Sequence, residues 1–390
     1  MFHRAVALNN KHSFFLFGPR GTGKSTLLRN TFQKNNILYI DLLDEEIHDR
    51  YFRKPQSLES EIAALPKKPN IVILDEVQKA PRLLNVVHKL IENEKIVFGL
   101  TGSSARKLRR GASNLLAGRA FLYRLFPLIH TELADRFRLD EVLRWGSLPK
   151  IFELETEQEK EKFLRSYALT YLKEEIVAEQ VTRKLEPFRE FLEVAAQLNG
   201  KIINAASAAR DVGVDIKTVQ TYYQILEDTL VGFYLPGYDR SIKKAQRQKP
   251  KFYWFDIGVK RAIEGTLDIP CNPRTSFYGE TFEHFIILEI FRLNQYLEKN
   301  YRLSYLQTYD ESEVDLVLSK PGRESLLIEI KSSAEVDEHK AAKLARHGKE
   351  IGTSKMFYLS QDPVAKKING VRCMHWQAGL VELGLLELTT

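Results

Sequence analysis

The pattern of apolar residues predicts an α/β chain in three parts, and three observations carry that prediction. From the start to about Leu133, five short apolar runs alternate with amphipathic stretches: Phe14–Phe17, Ile37–Ile40, Ile71–Leu74, Ile96–Leu100 and Ala120–Leu125. Strands that read as continuous apolar runs, with helical segments between them, are those of a parallel sheet covered on both faces. From about Asp135 to Glu264 the apolar residues recur at helical spacing, through Phe163, Tyr167 and Tyr171 and then Phe188, Phe191, Leu192 and Ala195. From about Thr275 onward, a helix over Gly279–Tyr296 precedes a strand pair at about Glu313–Leu318 and Leu326–Lys331, followed by further αβ material. The domain boundaries this suggests are 1–134, 135–265 and 266–390.

A chain of 390 residues exceeds what one core holds, which fits a multi-part reading. No run of eighteen apolar residues is present to cross a membrane, and the N-terminus lacks the long apolar stretch of a signal peptide. The two cysteines, Cys271 and Cys373, are far apart and form no CxxC pair. A disulfide scaffold and a cysteine-rich zinc site are thereby excluded, and a cytoplasmic location is expected. The nine histidines show no metal-ligand spacing and are read as surface or internally satisfied residues. The net charge of +7 points weakly to a polyanionic partner.

The first run ends in Gly18-Pro19-Arg20-Gly21-Thr22-Gly23-Lys24-Ser25, followed by Thr26 and a helical stretch. The spacing is that of a P-loop. Its glycines let consecutive N–H groups turn inward on phosphate oxygens at a helix N-terminus. Lys24 is then expected to reach the β and γ phosphates of ATP, and the Ser25 hydroxyl to ligate Mg²⁺. About fifty residues on, the run Ile71–Leu74 ends in Asp75-Glu76, which reads as Walker B. Asp75 would hold Mg²⁺ through water, and Glu76 would act as general base on the attacking water. The next run ends in Thr101-Gly102-Ser103-Ser104, where Thr101 or Ser103 would sense the γ phosphate. Between Gly99 and Thr131 there is no acid, yet Arg106, Lys107, Arg109, Arg110, Arg119 and Arg124 occur. Arg119 is the choice for an arginine finger, acting in cis or toward a neighbouring subunit.

The P-loop, Leu74-Asp-Glu-Val-Gln78, Leu100-Thr-Gly-Ser-Ser104 and Leu116-Ala-Gly-Arg119 resemble the archaeal and bacterial AAA-type ATPases of the AAA+ superfamily in which a conserved domain of unknown function follows the ATPase. The resemblance continues through Tyr167–Glu175, Lys251–Gly258 and Gly279–Glu283. It implies a sheet of order 5-1-4-3-2, a winged helix and a nuclease-like C-terminal fold.

The middle region supports the winged helix on its own residues. Asn204–Asp211 reads as a helix, Val212-Gly213-Val214 as a turn, and Asp215 as the N-cap of a second helix over Ile216–Asp228. Strands at Val231–Leu235 and Phe252–Phe255 would flank a wing holding six bases from Arg240 to Lys251. Lys217 and Gln220 are placed to reach DNA bases, and Lys243, Lys244 and Arg247 its phosphates. A lid or a protein dock is the alternative use of such a module.

The C-terminal strand pair carries Asp315 on one strand and Glu329-Ile-Lys331 on its partner, across a turn at Lys320–Arg323. An acid opposite E-x-K is the pattern of the PD-(D/E)xK nucleases, and period two puts Glu329 and Lys331 on one face. Glu283, ahead of Glu280, would supply a further acid. Asp315 and Glu329 are expected to share a second Mg²⁺ or Mn²⁺, with Lys331 beside it and catalysis either retained or lost. The sequence thus predicts a P-loop NTPase (AAA-type) parallel sheet, a helical/winged-helix domain and an α/β PD-(D/E)xK nuclease-like domain. The expected function is an ATPase acting on DNA. The rival is a regulatory switch or scaffold ATPase that binds a protein partner through an inactive C-terminal domain. A homo-oligomer is compatible with either.

Overall fold

The five apolar runs form one parallel sheet in the computed structural model, which describes residues 2–33, 36–103, 116, 118–171, 186–308 and 312–386. Its strands are β1 (Ser13–Phe17), β2 (Ile37–Asp41), β3 (Ile71–Asp75), β4 (Val97–Gly102) and β5 (Ala120–Arg124). They lie in the order β2-β3-β4-β1-β5, which is the 5-1-4-3-2 order implied by the resemblance. All four pairings are parallel. Every residue of β1 and β3 is buried, as strands covered on both faces require. Period two divides β1: Phe15 and Phe17 enter a core with Leu74, Val77, Leu83 and Leu100, while Phe14 and Leu16 point the other way. Helices α1 (Lys24–Thr31), α2 (Glu45–Arg53), α3 (Ser57–Ala64) and α4 (Leu83–Glu94) make the crossovers.

The middle part is helical around an antiparallel strand pair. It contains α5 (Leu139–Trp145), α6 (Glu157–Ser166), α7 (Glu186–Gln197), α8 (Ala205–Val212) and α9 (Ile216–Asp228), then β6 (Gly232–Leu235), β7 (Lys251–Trp254) and α10 (Ile257–Glu264). Gly213 ends α8 at φ 70°, a left-handed turn that glycine adopts without strain. The Asp215 carboxylate then caps α9 by accepting from Thr218 N at 2.9 Å. The aromatic stripe read from the sequence packs here: Phe188, Phe191 and Leu192 lie against Tyr222, Tyr223 and Trp254.

The third part opens with α11 (Ser276–Tyr296), which starts three residues before the expected Gly279 because the Thr275 hydroxyl accepts from Tyr278 N at 3.1 Å and caps it there. A six-stranded sheet follows in the order β12-β13-β11-β10-β9-β8. Its strands are β8 (Arg302–Gln307), β9 (Glu313–Ser319), β10 (Leu326–Ile330), β11 (Met356–Ser360), β12 (Lys366–Ile368) and β13 (Val371–His375), with the crossover α12 (Glu338–Ile351) between β10 and β11 and α13 (Trp376–Glu382) after β13. β9 and β10 are the expected antiparallel neighbours, joined by a turn with Gly322 at φ 72°. The last apolar run of the sequence, Leu380–Leu388, begins inside α13, and residues 387–390 lie outside the described residues.

Helix α11 ties the parts together. Its Phe285, Ile286 and Leu293 share one core with Phe14 and Leu16 of β1 and with Leu316 and Ile328 of the second sheet. Arg292 is buried at the junction, donating to Leu128 O at 3.0 Å, Ser147 Oγ at 3.0 Å and Phe255 O at 2.6 Å.

Candidate nucleotide site and acidic cluster

The P-loop leaves the C-terminal end of β1, where parallel strands present ligand-binding loops. Gly21 and Gly23 take φ of 75° and 91°, which side-chain-bearing residues avoid. A Cβ at Gly18 would lie 2.2 Å from Leu125 O, so the loop passes too close to the β5 strand end for any other residue. Lys24, only 5% exposed, donates to Gly18 O at 2.8 Å and Pro19 O at 3.2 Å. Those are neutral acceptors that phosphate oxygens can replace. Beside the loop is a cavity of about 730 Å³ lined by Val6, Leu8, Leu27 and Leu128, with Thr22 and Thr26 at its polar side. Its size and apolar lining suit a nucleoside.

Asp75 ends β3 and is buried. Its carboxylate accepts from the Tyr39 and Thr101 hydroxyls, and Thr101 Oγ1 in turn accepts from Glu76 N at 3.0 Å. Burial, then the Asp75 hydrogen bond, push the Tyr39 phenol up to about 12, while the Ser25 hydroxyl bonded to it pulls the other way. Ser25, Tyr39 and Asp75 therefore form one chain of oxygens. Hydroxyl and carboxylate oxygens are the donors Mg²⁺ prefers, so Ser25 and Asp75 fit that ion. Glu76 stands next in a left-handed conformation at φ 60°, costing about 1–3 kcal/mol for a side-chain-bearing residue. Gln78 donates to its carboxylate and to Ser103 Oγ, the latter at 3.1 Å.

Arg119 requires a correction. The β1–β5 register pairs Ala120 with Ser13, the strand end opposite Gly18, so Arg119 lies more than about 13 Å along the sheet from the P-loop. It pairs instead with Glu92 on α4, at 2.9 Å from Nε. A cis finger is excluded by that register, leaving only the role toward a neighbouring copy. Arg124 sits at the P-loop end of β5 and reaches Gln295 at 3.4 Å. Arg106, Lys107, Arg109 and Arg110 lie outside the described residues, as does Ser104.

In the third part the structure brings Asp315, Glu329, Lys331 and Glu283 together. Lys331 Nζ donates to Asp315 Oδ2 at 2.9 Å and lies 2.7 Å from Glu329 Oε1. Asp315 Oδ2 also accepts from Ile330 N at 2.7 Å, where the strands diverge. Glu283, on the α11 side facing this cluster, accepts from Tyr253 OH at 2.8 Å, whereas Glu280 is exposed. Burial, then the Asp315 charge, push the Glu329 carboxyl up to about 8 and that of Glu283 to about 7. Burial opposes the Lys331 ammonium, but Asp315 and Glu329 outweigh it and raise its pKa. The carboxylates thus converge on an ammonium instead of an open cation site. No group of three side chains suited to a metal stands among the described residues. The expected convergence is present, with Asp315 and Glu329 close together and the Lys331 amine beside them, and these oxygens are donors of the kind a divalent ion takes.

Of the residues proposed for DNA, Lys217 and Gln220 are exposed on α9, and Lys243, Lys244 and Arg247 are exposed in the β6–β7 connection. Two bases of that run are otherwise engaged. Lys251 is buried and paired with Glu313, and Arg240 donates to Ile351 O.

With this geometry in place, the comparisons with known proteins bear first on the nucleotide site. Residues 10–134 match the AAA domain family. The first part of the chain is therefore an AAA-type ATPase domain, which implies bound nucleotide and Mg²⁺. Residues 136–268 and 278–376 match two domains of unknown function, DUF8612 and DUF4143. An uncharacterized protein of Mycobacterium tuberculosis is 27% identical over 323 residues, 81% of this chain and 70% of its own. An uncharacterized protein of Methanocaldococcus jannaschii is 24% identical over 377 residues, 84% of this chain and 78% of its own. Among solved structures, domain III of the Thermotoga maritima replication initiation protein DnaA aligns with 55% of this chain and 85% of its own, at 14% identity and a TM-score of 0.24. Bacteroides sp Pif1 in complex with ADP-AlF4 aligns with 48% of each chain, at 16% identity and a TM-score of 0.18. Likenesses this distant carry no argument. No described helix is long and apolar enough to cross a membrane.

Sequence reasoning missed the residues that brace the AAA domain from outside its motifs. Tyr167 OH donates to Arg20 O at 2.8 Å. Arg4 donates to Thr22 O at 2.6 Å while bonding Glu132 at 3.0 Å and Tyr296 OH at 3.1 Å. Tyr167 reads only as a member of the aromatic stripe and of the family resemblance, and Arg4 lies in no motif. The signal that could have found Arg4 is a lone cation in an apolar N-terminal stretch, and that signal is weak.

Proposed function

We propose that the chain hydrolyses ATP and couples it to an action on DNA. The observation carrying this reading is the linked Ser25–Tyr39–Asp75 oxygens beside a left-handed Glu76 at the mouth of the P-loop. Lys24 binds the β and γ phosphates of ATP, the N–H groups from Gly21 to Ser25 wrap them, and Thr26 borders the base cavity. Ser25 and Asp75 hold Mg²⁺, which neutralises charge on the phosphates when bound. Glu76 takes the proton of the attacking water, and Thr101 and Ser103 register the γ phosphate through Asp75, Glu76 and Gln78. Arg119 serves a nucleotide on a neighbouring copy once its Glu92 pair opens. DNA contact through a winged helix is supported by α8, the Gly213 turn, α9 and the β6–β7 pair, with Lys217 and Gln220 toward bases and Lys243, Lys244 and Arg247 toward phosphates. The test is ATP turnover with Mg²⁺, with and without duplex DNA: stimulation by DNA supports the reading, and an unaltered rate with no duplex binding removes its DNA half.

A second reading is favoured by one observation, the Lys331 ammonium held between Asp315 and Glu329. In it the third part keeps a nuclease-like fold without reaction, and the chain is a nucleotide-driven switch that binds a protein partner. A second metal has no part in that switch. Stimulation of ATP turnover by duplex DNA separates the first reading from the switch, and cleavage of any member of a DNA panel with Mg²⁺ or Mn²⁺ overturns the inactive third part.

A further inference from the structure

Helix α12 carries Lys340, Lys343, Arg346 and Lys349, four bases three residues apart and all exposed. Each three-residue step turns the helix about 60° short of a full circle, so over roughly 13 Å the four bases wind through about 180° and spread over the whole exposed side of the helix. The opposite face, with Ala341, Leu344 and Ala345, is spent in the core against Leu327 and Tyr358. Ordinary helix electrostatics explain only one member of the row. Cations suit the last turn, where Lys349 stands, but Lys340 is in the first turn beside the positive end of the dipole. Lys340 has only Asp337, at 3.9 Å, and no ion pair is formed by Lys343, Arg346 or Lys349 among the described residues. The acids on the helix are Glu338 and Glu350, the latter 3.3 Å from His347.

The row does not stand alone. Arg240 donates to Ile351 O, so the basic β6–β7 connection begins where α12 ends. Lys243, Lys244 and Arg247, three to seven residues after Arg240 in that connection, are exposed as well.

We propose that the exposed face of α12 and the β6–β7 connection form one continuous basic surface that takes the phosphate backbone of duplex DNA. The inference rests on the DNA reading above and extends it to a part of the chain that reading leaves unused. A membrane surface fits less well, because a helix lying on lipid inserts an apolar face and α12 has buried its own. Evenly spaced cations without aromatic neighbours suit a regular polyanion.

The test is duplex binding by anisotropy between 50 and 200 mM salt, using the full chain. Three forms are compared: wild type, Lys343→Gln/Arg346→Gln/Lys349→Gln, and Lys243→Gln/Lys244→Gln/Arg247→Gln. Each phosphate contact contributes roughly 0.9 to the log–log salt slope, so each triple variant is expected to flatten it by about 2 to 3. Thermal melting checks that the variants fold, and Arg346→Lys, which keeps the charge, is expected to retain the wild-type slope. An unchanged slope in the α12 variant alone overturns this surface and leaves the connection's role standing. Unchanged slopes in both variants, or a wild type that binds no duplex, overturn both. Loss of binding to phosphatidylserine vesicles with DNA affinity intact also overturns the proposal, in favour of lipid.

Discussion

Lys24 opens the helix after the P-loop and Lys331 follows the end of β10, and their bonds differ. Lys24 donates to two backbone carbonyls, whereas Lys331 lies between the carboxylates of Asp315 and Glu329. A carbonyl leaves the ammonium's charge in place for an incoming phosphate. At Lys331 the Asp315 carboxylate balances the charge and Glu329 lies beside it, so the cluster satisfies itself. One site is built to wait for a polyanion, and the other already holds its counter-charge.

The contrast between the two lysines breaks most visibly in turnover. Glu76→Gln is expected to lower ATP hydrolysis by roughly 10²–10⁴-fold while ATP still binds, since only the proton acceptor is changed. Lys24→Ala is expected to weaken ATP binding by roughly 10- to 100-fold, the loss of one or two charge-assisted hydrogen bonds. Isothermal titration and a phosphate-release assay measure both. If Glu76→Gln turns over ATP at the wild-type rate, the general base lies elsewhere.

Stability ranks the two lysines in the opposite order. Lys331→Ala leaves Asp315 and Glu329 facing each other without a cation, at a cost of roughly 2–4 kcal/mol. Lys24→Ala removes the donor to Gly18 O and Pro19 O, so its melting temperature is expected to fall less. A Lys331→Ala protein that melts like wild type but has lost a DNA-cutting activity would turn the cluster from a self-neutralised unit into a reactive one.

Arg119 gives a smaller effect. It and Glu92 are each about 40–47% exposed, and a surface pair of this kind contributes under about 1 kcal/mol. Arg119→Ala is therefore expected to leave thermal stability nearly unchanged. A drop in ATP turnover at constant melting temperature, restored by mixing with a Glu76→Gln partner, identifies a finger that acts between copies. Turnover equal to wild type removes the role.

What was legible in the sequence was whatever a local pattern encodes. The five strands of the AAA domain follow from apolar runs, and the Asp215 cap and the Lys320–Arg323 turn from short-range chemistry. Arg119 was placed without knowledge of strand register, which depends on how β5 meets β1 across a hundred residues. Tyr39, Tyr253 and Arg4 were missed for the same reason, since each acts on a residue from a distant segment. The convergence of Asp315, Glu329 and Lys331 was legible because two neighbouring strands and one turn bring them together. Whether they surround a metal or an ammonium was not, because that depends on burial. The wing shows the converse: Lys251 reads as one base in a basic run, yet Tyr305 and Glu313 enclose it.

The smallest effect separates the clusters by pH. Glu329 and Glu283 have folded-state values raised to about 8 and about 7, by burial and then by Asp315. A carboxyl raised on folding holds its proton more tightly in the native state. Its stabilising contribution is complete below the unfolded value near 4.5 and is lost as pH rises through the folded one. Lys331, also raised, changes only above its unfolded value of 10.5 and is silent in this window. Buried His284, lowered to about 3 by burial, works in the other direction and destabilises as pH falls below 6.5. The raw pH profile mixes these terms, so the difference between wild type and Glu329→Gln is the informative quantity. Glutamine keeps the shape of the protonated acid and cannot ionise. Its melting temperature is expected to gain on wild type steadily from pH 5 to pH 8, as differential scanning fluorimetry across that range measures. A constant difference across that range would mean that Glu329 is ionised throughout, held so by Lys331, and that the cluster is a plain ion pair.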